Sequence, residues 1–359
     1  DFAAVVILVL AAVVWSALFY SVLGEKVPTA GYAFFGAVFL SSPLISEVFT
    51  YFLHNGIAIG YLCCGISQCF VREWQSSTRK MQKGSGIRQK LGCLAVAKIL
   101  TAAVFLWIAM GCYESFMILW LAGLMLLLLT ERIARGRQEK DIFATLAAGA
   151  VAALVAIVLR SVMIVVVTKA FHLEYLRGEA VQRSVTEMLG WMLQPGAFGE
   201  LAMILKRTFV LYGVFAYAYL PIRIFILSAA AILVVTLVRV IRGRDLWALL
   251  LLPAAYLAAF SLLFIEGKAT LYRSAQFLPV FCGYGALLFV YGIWQLTGTL
   301  APKAKNTAGR KISAGVRALA VLVLAVILWN QCMDMTRWFY IDKKKYDAAV
   351  KTVDQIAMD

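Results

Sequence analysis

Long apolar runs separated by short polar stretches set the pattern of this chain. The runs lie at 2–23, 31–44, 53–71, 91–110, 115–130, 142–168, 222–241, 246–265, 277–296 and 318–333. A helix needs about 20 apolar residues to cross the hydrocarbon layer of a membrane. The pattern therefore predicts an all-α fold, a polytopic transmembrane helical bundle of about ten spans, with 31–44 and 115–130 short. An even number of spans puts both ends of the chain on one side.

The polar segments between the runs sort into two sets. Segments 24–30, 72–90, 131–141, 239–245 and 297–317 hold 19 Lys and Arg against 6 Asp and Glu, whereas the other set holds 13 of each. Basic loops stay on the cytoplasmic side, so the balanced set is read as facing outward. It comprises tight turns at 45–52, 111–114 and 266–276, a long loop at 169–221 and a polar tail at 334–359. Within the long loop, Leu176, Ala180, Val181, Val185, Met188, Leu189 and Met192 recur at helical spacing, which predicts an amphipathic helix stopped at Gln194-Pro195-Gly196. Leu201–Leu220 is apolar but carries Lys206, Arg207 and three tyrosines, a composition suited to a helix lying flat in the headgroup zone. The tail reads as the start of an outer amphipathic helix with Val350, Val353 and Ile356 on its apolar face. The division is thus a transmembrane domain over 1–333, with 169–221 as its interfacial loop, followed by an outer segment over 334–359.

Composition strengthens this picture. Of 359 residues, 63% are hydrophobic and 15% charged, against about 45–50% and about 25% in a soluble domain; a soluble enzyme is excluded. The net charge of +15 is a topology signal, because its excess is split among five short loops. Nucleic acid is not an expected partner; membrane lipids are. The seven cysteines form no CxxC or Cys/His set, and His54 and His172 stand far apart, so metal binding by these residues has no support. No secretory signal is visible: Asp1 stands directly before the first apolar run. The sequence reads as an internal piece of a longer protein, with an N-terminal span and a first outer loop preceding it.

Charged groups at a bilayer are costly and invite a functional question. On the outward set these are Glu47, between Pro43-Leu44-Ile45 and Val48-Phe49; Glu114; Glu266, Lys268 and Arg273 in the turn 266–276; Arg160 near the outer end of its span; and Arg223 after Pro221. Glu114 and Glu266 equally suit helix ends in water, and Arg160, Arg223 and Lys98 suit side chains reaching toward lipid phosphates. Together, carboxylates and guanidinium groups at one face fit a reaction on a lipid-linked substrate. A carboxylate can accept the proton of an attacking hydroxyl, and arginine can hold a phosphate leaving group through paired hydrogen bonds. No Gly-rich phosphate loop and no serine-hydrolase elbow is present.

The chain resembles the GtrII-like glucosyltransferases, polytopic bacterial membrane proteins of the GT-C type. The resemblance is carried by Ser41-Ser42-Pro43 with Glu47 and Phe52, by Met110-Gly111-Cys112-Tyr113-Glu114-Ser115-Phe116, by Tyr272-Arg273-Ser274, and by Asp334-Met335-Thr336-Arg337-Trp338-Phe339-Tyr340 with Tyr346 beyond it. It implies an inverting transfer of a sugar, typically glucose, from an undecaprenyl-phosphate carrier to a cell-surface glycan at the outer face of the plasma membrane. Glu114 stands where the family pattern often has glutamine. The acidic catalytic residue of GT-C enzymes usually lies in the first outer loop, which places the main base before residue 1. Some GT-C relatives use a divalent metal, for which nothing in this sequence specifies a site. Arg273 is the first candidate for the donor phosphate, with Arg160 and Lys268 as helpers, and Glu47 and Glu114 are substrate-binding or base candidates. The competing readings are a lipid-linked oligosaccharide flippase or transporter, whose polar sites lie near mid-membrane, and a surface-polysaccharide polymerase or ligase, which shares the site logic.

Overall fold

The computed structural model describes residues 2–45, 54–83, 88–135, 139–172, 190–213, 222–266, 274–300 and 307–358. Among these residues the chain is helical throughout, with no strand. The helices are α1 (Phe2–Leu23), α2 (Thr29–Leu40), α3 (His54–Lys83), α4 (Arg88–Cys112), α5 (Phe116–Arg135), α6 (Glu139–Ala170), α7 (Ala197–Gly213), α8 (Phe225–Gly243), α9 (Leu246–Ala259), α10 (Ser261–Glu266), α11 (Leu278–Leu300) and α12 (Thr307–Met358), with short 3-10 turns at Gly24–Lys26 and Trp191–Leu193. Seven described helices are long and apolar enough to cross a membrane, and two shorter apolar ones cover Thr29–Ile45 and Leu246–Ala259. The protein is a polytopic transmembrane helical bundle.

α5 is the most enclosed of the seven long helices, whereas α6 and α12 present most of their surface outward. Around α5 the bundle is built from close pairs: α1 with α3, α3 with α4, α4 with α6, α5 with α9, and α11 with both α2 and α8. Aromatic rings fill the centre. Phe19 of α1 meets Tyr284 of α11 at 4.9 Å between centroids, and Tyr61 of α3 packs edge-on against Phe39 at 5.1 Å and Phe116 at 5.2 Å. Small residues make room for them. A Cβ added at Gly60 would fall 2.1 Å from the Phe116 ring, and one at Gly285 would fall 2.4 Å from the Ser228 Cα. Packing, rather than a hydrophobic drive, joins helices in lipid, so close approach at small residues is the expected device.

Buried polar side chains tie helices together pairwise. Trp15 Nε1 donates to the Tyr61 carbonyl at 3.1 Å, Ser67 Oγ to the Ala102 carbonyl at 2.7 Å, Trp120 Nε1 to Ser67 Oγ at 2.9 Å, and Gln68 Nε2 to the Trp120 carbonyl at 2.7 Å. In the second half, Ser228 Oγ donates to the Cys282 carbonyl at 2.8 Å and Tyr256 Oη to the Ala229 carbonyl at 2.7 Å. Each donor thereby escapes the cost of facing hydrocarbon unpaired.

Further long-range contacts lie at the two ends of the bundle. At the basic end, Lys26 donates to the Ala134 carbonyl, Arg72 pairs with Glu131 at 2.8 Å, Gln75 bonds Thr145, and Arg132 pairs with Asp245. At the opposite end, Glu114 meets Arg160, Tyr113 meets Ser274, Trp191 meets Phe264, Arg223 meets Asp334, and Gln331 Nε2 donates to the Ser41 carbonyl at 2.6 Å.

Several details depart from the sequence reading. α3 continues about three turns past the run ending at residue 71, and in this extension Arg72, Glu73 and Gln75 bond Glu131, Lys98 and Thr145 on neighbouring helices. The run 246–265 is not one helix: Pro253 sits inside α9, and the backbone breaks at Phe260 before α10. The span 318–333 and the polar tail belong to one helix of 52 residues, about 78 Å long at 1.5 Å per residue. Lys98 and Arg223 do not need lipid phosphates as partners. Lys98 Nζ lies 3.0 Å from a Glu73 carboxylate oxygen, and Arg223 bonds Asp334.

Asp245 does double duty at the start of α9. Its Oδ1 accepts from the Ala248 backbone N–H at 3.1 Å, capping the helix, and from Arg132 Nε at 3.2 Å. With side-chain exposures of 10% and 5%, the ion pair is largely sealed from water. Removing one member of such a pair strands a buried charge. Asp245→Ala is expected to lower stability by about 3 kcal/mol, read as a reduced melting temperature of the purified protein in detergent. Adding Arg132→Met should recover part of the loss; no recovery would mean that the lost cap, not the stranded guanidinium, sets the cost.

Candidate active site

The site begins with the way α4 ends. After Gly111-Cys112 the chain reverses in three residues, with the Tyr113 N–H on the Ala109 carbonyl at 3.1 Å and the Phe116 N–H on the Tyr113 carbonyl at 3.1 Å. Phe116 then drops into the slot over Gly60. That anchor fixes the start of α5 against α3 and leaves Tyr113, Glu114 and Ser115 at the rim.

These residues border a cleft of about 760 Å³ at the end of the bundle opposite the basic loops. Its walls come from the end of α4, the start of α5, α6 through Arg160, Met163 and Ile164, Leu262 of α10, and Ser274. Glu114 and Arg160 form an ion pair across it. The Glu114 side chain is 75% exposed and the Arg160 side chain 31%, so the carboxylate stands open to the cleft while the guanidinium is drawn inward from the outer surface of α6. Tyr113 Oη lies 3.4 Å from Ser274 Oγ, joining the α4–α5 turn to the segment leading into α11. Ser115 Oγ is buried in the cleft wall and has no hydrogen-bond partner among the described residues. Such a group is an acceptor or donor waiting for a ligand or water.

The supports of the cleft are also legible. The break at Phe260 turns α10 so that Leu262 reaches the wall, and Trp191 Nε1 donates to the Phe264 carbonyl at 3.2 Å, fastening the 3-10 turn to α10. The other ion pair at this end, Arg223 with Asp334, links the start of α8 to α12 and does not line the cleft.

Of the candidates from sequence, Glu114 and Arg160 come together. Glu47, Lys268 and Arg273 lie outside the described residues, as does the predicted amphipathic helix around 176–189. Ser274, the residue next to Arg273, is in the cleft wall. Tyr113 and Ser115 were visible only as parts of a turn, and a serine before a helix reads first as a cap; its unpartnered hydroxyl is a fact of packing. Ser274 and Trp191 depend on contacts 161 and 73 residues away along the chain, for which a single sequence carries no signal. Among the described residues no three His, Cys, Asp or Glu side chains gather as a metal-ligand set.

The cleft can bind a polar group beside a cation and a carboxylate at the rim of a membrane helix bundle. The chain matches no curated protein and no solved structure. Residues 1–290 match the family model described as glucosyl transferase GtrII; with four-fifths of its length covered, this membrane protein belongs to the GtrII glucosyltransferase family.

Proposed function

We propose that the chain is an inverting GT-C-type hexosyltransferase that moves glucose from a polyprenyl-phosphate donor, undecaprenyl phosphate glucose, to a cell-surface glycan. The reaction runs at the outer face of the bacterial plasma membrane. The single observation that carries this reading is the cleft holding Glu114, Arg160, Ser115 and Tyr113 at the end opposite the basic loops. Basic loops are retained in the cytoplasm, so that end is the outer one.

In this reading a hydroxyl of the acceptor attacks the anomeric carbon of the donor sugar. The new C–O bond forms as the bond from that carbon to the phosphate oxygen breaks, and configuration inverts. The hydroxyl proton goes to a carboxylate, for which Glu114 and Glu47 are the candidates in this chain. The phosphate departs on its lipid with the electron pair, and Arg273, Lys268 and Arg160 are the cations suited to hold it. Ser115 and Tyr113 suit the hydroxyl groups of a sugar. A glucosyltransferase family, a cleft at one end of the bundle and a carboxylate–arginine pair support the same chemistry. They favour it over transport, since the mid-membrane polar side chains of Ser67 and Trp120 are engaged in helix-to-helix bonds.

The test is to give the full-length protein in lipid vesicles polyprenyl-phosphate glucose and surface-glycan acceptors, and to follow glucose by mass spectrometry. Glycosylated acceptor is expected, and Arg273→Ala should raise the KM for donor about tenfold, a phosphate contact made in ground state and transition state alike. No transfer to any acceptor, with Arg273→Ala indistinguishable from the parent in cells, would remove the proposal.

A further inference from the structure

A second cavity lies at the other end of the bundle, away from the cleft. It is a groove of about 510 Å³ between α8 and α11, walled by Leu227, Val234, Phe289 and Leu296 and closed at the basic end by Arg239 and Arg242. Val234 and Leu296 are about half exposed, so the groove opens sideways rather than into the protein. From Leu227 to Arg242 it follows α8 for about 22 Å, more than the roughly 15 Å of hydrocarbon in one leaflet. The lining contains two arginines and no carboxylate. Arg239 Nε is buried without a hydrogen-bond partner among the described residues. Asp245, three residues past Arg242, is already held by Arg132.

A buried guanidinium N–H without an acceptor is a cost that a bound anion removes. Phosphate matches the guanidinium fork, and an apolar channel beneath it matches an acyl chain. The arginines stand at the basic end of the bundle, where the leaflet supplies anionic headgroups. We infer that the α8–α11 groove is a binding site for an anionic glycerophospholipid, its phosphate on Arg239 and Arg242 and one acyl chain between the helices. The site is separate from the cleft and takes no part in sugar transfer. Its role is to fasten α8 to α11 and to seat the basic end of the pair at a fixed depth.

Native mass spectrometry of the full-length protein in a neutral detergent tests this, with phosphatidylglycerol, phosphatidylcholine and polyprenyl phosphate each titrated in turn. Phosphatidylglycerol is expected to bind at least about fivefold more tightly than phosphatidylcholine, and Arg239→Gln and Arg242→Gln should each weaken it about fivefold. Val234→Trp, filling the groove at an exposed position, should weaken both phospholipids. Should Arg239→Gln fail to yield a monodisperse protein, Arg242→Gln carries the test alone, because Arg242 is exposed. Equal binding of the two phospholipids, or unchanged phosphatidylglycerol binding in Arg242→Gln, overturns the site. Tighter binding of polyprenyl phosphate, lost in the same variants, overturns the phospholipid as occupant.

Discussion

Gly285→Leu is expected to leave the chain unable to assemble its α8–α11 pair, yielding aggregate instead of a monodisperse peak on size-exclusion chromatography. Even the first added atom has no space: a Cβ at Gly285 would stand 2.3 Å from the Ser228 Cβ, 2.4 Å from its Cα and 2.7 Å from its carbonyl carbon. Two of these three atoms are backbone, so no rotamer change relieves the overlap. The helices would have to separate, and the Ser228 hydroxyl would lose its 2.8 Å bond to the Cys282 carbonyl. Overpacking alone costs about 1–3 kcal/mol, and leaving a buried hydroxyl unpaired adds about 1–3 kcal/mol. Gly36→Leu is the control. Gly36 lies on α2, a neighbour of the same α11, and an added Cβ there meets nothing within 4 Å; its profile should match the parent. If Gly285→Leu elutes as the parent does, α8 and α11 do not cross at this point.

This crossing also marks what a sequence can and cannot show. Gly285 and Ser228 are small residues within apolar runs, and a single chain does not say which small residues face each other. The runs themselves were plain: 2–23 coincides with α1, 91–110 falls within α4, and all but the first residue of 115–130 falls within α5, because the length of a span follows from hydrocarbon thickness. Interruptions were harder. Phe260 is as apolar as its neighbours, so the break between α9 and α10 leaves no trace in hydropathy; Pro253 was the only local signal. The continuity of α12 through Asp334 was hidden for the opposite reason. Polarity changes there, but the helix does not end, because its backbone bonds are satisfied internally in water as in lipid.

The polar sites show the same division. Some contacts at the ends join segments of one charge set: Arg72 with Glu131 and Arg132 with Asp245 join basic segments, and Tyr113 with Ser274 joins two of the other set. Loop charge did not pair the residues. Arg223 and Asp334 are 111 positions apart and Arg160 and Glu114 are 46; each arginine alone suits a lipid phosphate equally well. Only the packing of α6 on α4 brings Arg160 to Glu114.

Exchanging the charges of that pair, by Glu114→Arg with Arg160→Glu, is expected to preserve the fold and abolish transfer. The Glu114 side chain is three-quarters exposed, and exposed ion pairs contribute little to stability, so neither single variant nor the exchange should shift the melting temperature appreciably. Activity answers to position instead. If Glu114 takes the acceptor proton, an amide cannot replace it and Glu114→Gln should lower kcat by about 100-fold or more; if the base lies elsewhere, glutamine, which the family pattern often carries at this position, should support transfer at near the parent rate. Arg160→Gln distinguishes two uses of the guanidinium. If Arg160 holds the donor phosphate, its loss raises the donor KM and leaves the effect of Glu114→Gln undiminished in the double variant. If it acts only by holding Glu114 at the rim, kcat falls while the donor KM stays, and the double variant is no worse than Glu114→Gln alone, the non-additivity expected of residues that work as one unit. An exchanged pair that transfers glucose at the parent rate would show that this carboxylate and this guanidinium do not touch the reacting groups.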